Sequence, residues 1–366
     1  LTASAPVPHR PWGMPFLVRV LLTLVLAYAA ARLCVWWQTP IPWMIGPLVA
    51  TSVLSVLGLP TTSWVPLRNA GQGVIGAALG LYFTPAVGAL VVGLWWAIGL
   101  GIVWALTLGL GFGAWLRRVN GPRMAALSPS QRFSTTYFAG AIGGASEMTL
   151  LAERHGARTD LVASAHSLRV LLVTLAVPFA MQAWGVHGLD LSLPSARDVL
   201  WPGLLGLGGL ALVGGWAMQR AGRANPWFMG ALVVTMGVTL AGVTLSALPG
   251  WLTAGAQLVI GVSLGVRFTP AFVHTAPRWL GSVALATVAM MLLCAGFGLL
   301  LARLTGLHPA TLVLGTSPGG IAEMAITAKV LQLGVPVVTA FQVCRLVAVL
   351  VLVEPVYRWW CARSAG

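Results

Sequence analysis

Glu147 sits in Gly143-Gly144-Ala145-Ser146-Glu147-Met148 and Glu323 in Gly319-Gly320-Ile321-Ala322-Glu323-Met324, and each is followed at the same spacing by an arginine, Arg169 or Arg345. Apolar residues surround all four. A charge in such surroundings carries a desolvation cost that function or pairing must offset. A carboxylate there can exchange a proton or hold a cation, and a guanidinium can hold an organic anion through paired hydrogen bonds. Two roles therefore fit Arg169 and Arg345: recognition of an anionic substrate, or a buried ion pair with the glutamates. A Gly-Gly pair breaks a helix, and a helix restarting behind it aims its N–H groups and positive dipole end at the site. Gly143, Gly144, Ser317, Pro318, Gly319 and Gly320 are assigned to this broken backbone. Glu147 and Glu323 are the expected proton or ion-coupling groups, the alternative being carboxylates that only cap the new helix starts.

The elements that must position these groups are membrane helices. The chain has 366 residues, 58% hydrophobic and 8% charged, with a mean hydropathy of +0.89. A soluble domain carries roughly a quarter charged residues. Apolar runs of about 20 residues, enough to cross the hydrocarbon core as helices, recur from end to end. Candidate helices fall over 16–37, 41–59, 66–83, 86–116, 160–184, 198–219, 225–248, 251–267, 279–302 and 334–357. The motif segments 133–152 and 309–331 read as broken or re-entrant helices, since non-helical backbone at that depth needs protein or a water-filled cavity around it.

The two halves match collinearly. Pro42-Trp43-Met44-Ile45-Gly46 answers Pro226-Trp227-Phe228-Met229-Gly230, Gln72-Gly73-Val74-Ile75-Gly76 answers Gln257-Leu258-Val259-Ile260-Gly261, and Phe83-Thr84-Pro85 answers Phe268-Thr269-Pro270. The glutamate motifs and arginines follow in order. The expected organisation is an N-terminal tail over 1–15, repeat 1 over 16–190 and repeat 2 over 191–366, each with about five spans plus one broken segment. Arg117, Arg118, Arg123 and Arg132 form the richest basic loop, which the positive-inside rule places in the cytoplasm. If each glutamate segment enters and returns on one side, the remaining arginine-rich loops and both termini join it there. The repeats are then inverted, and about ten full spans result; about twelve would result if the segments crossed.

Lesser polar residues surround the same elements. His166 and Gln342 stand at equivalent places, three residues before Arg169 and Arg345 and on the same helical face. They are assigned to substrate or charge pairing with the arginines; His166 is either a proton relay or a hydrogen-bonded support. Gln72 and Gln257 lie in matching glycine-rich helices and serve packing or line a cavity. Asp160 is expected to cap the helix that follows it, and Glu354 and Arg358 to pair at i,i+4.

Several function classes are excluded by pattern. The net charge of +14 is spread over short loops rather than gathered into a nucleic-acid groove. Cys34, Cys294, Cys344 and Cys361 form no CxxC or Cys/His cluster, so neither a zinc site nor a disulfide framework is expected. P-loop, H-E-x-x-H and G-x-S-x-G motifs are missing. No enzyme activity, metal or cofactor is expected. Leu1–Gly13 lacks the form of a signal peptide. The expected partners are the bilayer, a small solute and a proton or sodium ion, and small-residue helix faces allow a homodimer.

Residues 16–360 resemble the AbrB-type bacterial inner-membrane proteins, which carry an internal duplication. The resemblance rests on Ile41–Pro47, on Gly143–Met148 with Arg169, on Asn225–Gly230, and on Ser317–Met324 with Arg345. It implies a multi-pass protein of the bacterial inner membrane. It also implies the labels given to that family, regulator of gene expression and ammonia monooxygenase. A monooxygenase is disfavoured by histidines dispersed without ligand spacing. The architecture is similar to that of inverted-repeat secondary transporters. The expected function is a secondary transporter or exporter of a small organic anion, with a membrane sensor or scaffold acting on gene expression as the alternative.

Overall fold

The computed structural model describes residues 15–185, 198–223, 225–243, 245–270 and 277–364. Apart from Pro15, the expected tail over 1–15 lies outside the described residues, as does the expected repeat boundary at 190/191. Among the described residues the regular structure is entirely helical. The first half holds α1 (Phe16–Trp36), α2 (Pro42–Val56), α3 (Val65–Gly80), α4 (Pro85–Gly93), α5 (Trp95–Asn120), α6 (Pro129–Gly140), α7 (Ala145–Arg154) and α8 (Thr159–Ala183). The second holds α9 (Trp201–Arg220), α10 (Pro226–Leu240), α11 (Gly250–Gly265), α12 (Pro277–Thr305), α13 (Pro309–Thr316), α14 (Ile321–Val330) and α15 (Val335–Ser364).

Six helices (α1, α5, α8, α9, α12 and α15) are each long and apolar enough to cross a membrane. Large apolar side chains such as Leu21 and Val25 on α1, Leu205 on α9 and Leu292 on α12 point outward, the surface a bilayer covers. This is an all-α, multi-pass membrane protein.

Six of the ten expected helices keep the length and composition of a full span, and the others are shorter. The single helix expected over 86–116 is two helices, because Thr84 caps a fresh start at Pro85 (its Oγ1 accepts from Val87 N–H at 3.4 Å) and the chain then steps at Leu94. α4 is bent 87° from α3. The helices expected over 41–59 and 225–248 are also shorter. Each starts at a proline in the first turn, where the missing N–H costs nothing. Each is closed by a glycine with φ of +80°, Gly58 or Gly242, so that Leu59 N–H reaches Leu54 O and Val243 N–H reaches Val238 O. The 15 residues left in each rise only about 22 Å, short of the ~30 Å hydrocarbon core.

The helices gather into two bundles. The first joins α1, α2 and α3 to α9, α10 and α11. Its contacts are reciprocal: α3 lies on α10, and α11 lies on α2. Glycines allow the approach. A Cβ on Gly76 would strike the Phe228 carbonyl, and one on Gly261 would sit 2.5 Å from the Met44 carbonyl. Gly80 against Thr235 and Gly265 against Thr51 repeat the pattern one turn later. The second bundle joins α5–α8 to α12–α15, with α8 on α12 and α15 on α5. The bundles meet along a thin seam, where α14 and α15 touch α3, and α4 reaches both α10 and α15.

Each glutamate segment is a hairpin of two half-helices. Arg158 N–H donates to Thr135 Oγ1 (3.0 Å), His166 Nε2 meets the Phe138 carbonyl (2.9 Å) and Arg169 donates to the Ala141 carbonyl (3.1 Å). These contacts advance together along both chains, so α6 and α8 run parallel and α7 must carry the chain back between them. In the second half, Gly334 N–H donates to Thr311 Oγ1 (3.2 Å), Gln342 Nε2 to the Leu314 carbonyl (2.8 Å) and Arg345 to the Ser317 carbonyl. The order is the same, with the same consequence for α13, α14 and α15.

Candidate functional site

The half-helices place two unlike ends beside each other. α6 ends at Gly140 and α13 at Thr316, leaving carbonyls without intrahelical donors. After a break of four residues α7 and α14 begin, with Gly144 and Gly320 as N-caps in extended backbone. Arg169 reaches from α8 to the carbonyls of Ala141 (3.1 Å) and Gly143 (3.5 Å). Arg345 reaches from α15 to those of Ser317 and Gly319, the latter at 2.8 Å. Each guanidinium thus satisfies carbonyls at the negative end of one half-helix and at the break behind it. Glu147 and Glu323 occupy the first turn of the next half-helix, where its positive end favours an anion. Each carboxylate folds back over the glycine N-cap, so closely that a Cβ on Gly144 or Gly320 would collide with it.

This geometry overturns one of the two roles open to the arginines. Among the described residues the ion pairs are His155–Glu354, Arg158–Asp160 and Arg358–Glu354, and none joins Glu147 or Glu323 to an arginine. Each of the four charges instead meets a backbone end of favourable polarity, so direct pairing is not required. Asp160 is likewise not the cap expected of it: it lies in the first turn of α8 and pairs with Arg158, which holds the N-cap position.

His166 is wholly buried, and both ring nitrogens are engaged, Nε2 with the Phe138 carbonyl (2.9 Å) and Nδ1 with the Arg169 guanidinium (2.7 Å). A carbonyl only accepts and a guanidinium only donates, so the proton sits on Nε2 and the ring is neutral. Gln342 holds the equivalent place but bonds differently, its amide N–H donating to the carbonyls of Leu314 (2.8 Å) and Ser317 (3.2 Å), with no bond from its Oε1 to Arg345. Both stand behind the arginines and hold the break from the far side.

Both motifs open onto one cavity of about 460 Å³. Its walls include Glu147, Arg169, Glu323 and Arg345 from the second bundle, and Gln72, Asn225, Trp227 and Ser263 from the first. The cavity therefore lies in the seam between bundles. Gly143, Gly144, Pro318, Gly319 and Gly320 line it, whereas Ser317, His166, Gln342 and Gln257 do not. Glu323 is buried, with 7% of its surface exposed, and Glu147 is half-buried.

Three further arginines, Arg68, Arg223 and Arg267, line the same cavity. Arg267 lies within electrostatic reach of Arg68 and of both glutamates. Arg68 had a signal in the sequence, being a charge inside a helical stretch, as Arg169 is. Arg223 reads as an ordinary loop arginine and Arg267 closes the candidate helix over 251–267, and only the fold turns them toward the cavity. Among the described residues, no three His, Cys, Asp or Glu side chains are grouped to hold a metal.

The sequence model of the family described as transition state regulatory protein AbrB matches residues 43–361, which include the whole site. The chain is 27% identical over 356 residues to the Bacillus subtilis (strain 168) protein named "Uncharacterized protein YhjN", covering 87% of each. It is 26% identical over 359 residues to the Escherichia coli (strain K12) protein named "Putative regulator AbrB", covering 94% of each. With the family model spanning both broken helices and both arginines, the chain belongs to the AbrB family.

Proposed function

We propose that the protein is a secondary transporter or exporter of a small organic anion in the bacterial inner membrane, built from two inverted repeats and coupled to protons or a cation through Glu147 and Glu323. The observation that carries this reading is the shared cavity: two broken helices from opposite halves of the chain present their half-helix ends and both glutamates to a single space. Discontinuous helices meeting at a repeat interface form the substrate and ion sites of many secondary transporters. Five arginines against two glutamates favour an anionic guest. Arg169 and Arg345 also lie within electrostatic reach of each other, a repulsion that a bound anion relieves. The thin seam suits alternating access, the bundle of broken helices moving against the bundle of crossed short helices.

The test uses proteoliposomes holding a pH-sensitive dye and a panel of radiolabelled mono- and dicarboxylates. The wild-type protein should exchange at least one panel member and move protons or respond to sodium with it. Glu323→Gln, purified with an unchanged melting temperature, should lose coupled flux at least tenfold; unchanged flux would remove the glutamate from the mechanism.

The relatives' names favour a second reading, a membrane sensor or scaffold that acts on gene expression through a partner. Retrieval of a specific regulator by the purified protein, with no substrate-dependent flux, would establish it in place of transport.

A further inference from the structure

A second cavity of about 520 Å³ lies beside the first and has a different chemistry. Its walls are aliphatic residues of α3 and α9 with Leu248 and Leu252, and its polar lining is confined to Asn69 and Gln219. Those two residues and Trp227 line both cavities. They form the shared wall, and the Trp227 ring is seated on α9 at Gly215, where a Cβ would meet it at 2.5 Å. At the other end the lining includes Leu212, which is 63% exposed on the apolar outer face of α9. The order from outside to inside is therefore bilayer-facing surface, apolar chamber, amide-and-indole partition, arginine-lined chamber.

We propose that these chambers bind one amphiphilic anion, its acid group among the arginines of the seam and its hydrocarbon tail in the apolar chamber between α3 and α9. This rests on the anion-binding reading above and narrows it to acids with an alkyl or aryl tail. Each chamber falls within the ~300–1,000 Å³ typical of small-molecule sites. A tail removed from water gains affinity with each methylene buried, whereas a small hydrophilic anion leaves the second chamber unused. The partition residues suit the join, because amides can reach the acid group while an indole face packs on the first carbons.

Gly208 supplies the test. It lines the apolar chamber, and a Cβ added there meets nothing within 4 Å. Gly208→Leu is therefore the substitution chosen to occupy the chamber, the first added carbon having room, and leucine suits a helix better than glycine. The probes are ethanesulfonate and octanesulfonate, whose charge is fixed at all relevant pH values. They are titrated calorimetrically into the protein in lipid nanodiscs, with empty nanodiscs subtracted.

The wild-type protein should bind octanesulfonate at least tenfold more tightly than ethanesulfonate. In Gly208→Leu that gain should fall below threefold while ethanesulfonate affinity stays within twofold, and Ala211→Phe should reproduce the loss. Equal affinity for the two probes in the wild-type protein would overturn the proposal and leave the anion site standing. Binding of neither probe would overturn both. A chain-length gain that survives both substitutions, with altered co-purifying phospholipid, would make the chamber a bilayer acyl-chain site and overturn the proposal.

Discussion

The Arg345 guanidinium donates to the Gly319 carbonyl at 2.8 Å, and so spends its charge on the backbone break rather than on Glu323 four residues further along. Arg169 treats Gly143 in the same way. The arginines are braces, and the glutamates remain available to the cavity. Arg345→Ala should destabilise the fold by about 1–3 kcal/mol for each carbonyl left unpaired. A melting temperature in detergent that does not move would show the brace to be dispensable. Arg345→Lys should recover only part of the loss, because one ammonium cannot reproduce the planar fork.

His166→Gln should be nearly silent. It installs in the first half the residue that the second half already carries at Gln342, keeping an N–H donor for the Phe138 carbonyl and an acceptor for Arg169. The expected result is a change below about 1 kcal/mol in stability and an unaltered pH profile of flux. A displaced pH profile would make His166 a proton-transfer group.

Arg267→Gln should weaken anion binding without harming the fold. Arg267 lines the cavity, and among the described residues no ion pair fixes it to a carboxylate. The expected signature is a half-saturating anion concentration raised about tenfold or more, equivalent to ~1.4 kcal/mol of lost interaction. A lowered maximal rate at unchanged half-saturation would point to coupling instead of recognition.

Glycine substitutions should sort by crossing. Gly261→Ala presses a methyl onto the Met44 carbonyl and should cost about 1–3 kcal/mol. Gly99→Ala on α5 meets nothing within 4 Å and should be neutral or slightly stabilising through helix propensity. Equal melting temperatures for the two variants would show that the α2–α11 crossing is not held by its close approach.

Much of this was readable in the sequence. The paired glutamates, the arginines, the Pro-Trp starts and the glycines of the crossing helices all sit in repeated words, and repetition separates a constraint from an accident. Helix lengths were harder. A run such as 225–248 is apolar throughout, and what ends its helix is the left-handed conformation of Gly242, a decision made over one residue inside an otherwise uniform stretch. Arg223 escaped notice because arginine in a short loop is what the positive-inside rule expects of any membrane protein, and Arg267 because it stands at the end of a candidate helix, where a charge at the interface is equally ordinary. Their direction depends on how short helices cross, which no local pattern encodes. The Glu–Arg pairing expected as one alternative is absent for a related reason: the helix ends that favour each charge exist only once the hairpins have formed.

The reciprocal crossing of α2 with α11 and α3 with α10 also governs how the protein is made. Within its own half α2 packs on α1 and α10 on α9, but the crossing partners of α2, α3, α10 and α11 come from the other half. When α3 leaves the ribosome, the glycine face that will receive α10 has about 145 residues of synthesis still to wait. The first half must therefore persist in the bilayer as an open, incompletely packed intermediate. Closure of the first bundle is therefore expected only after the second half has been made, and a chain interrupted between α8 and α9 should give two fragments that complement each other.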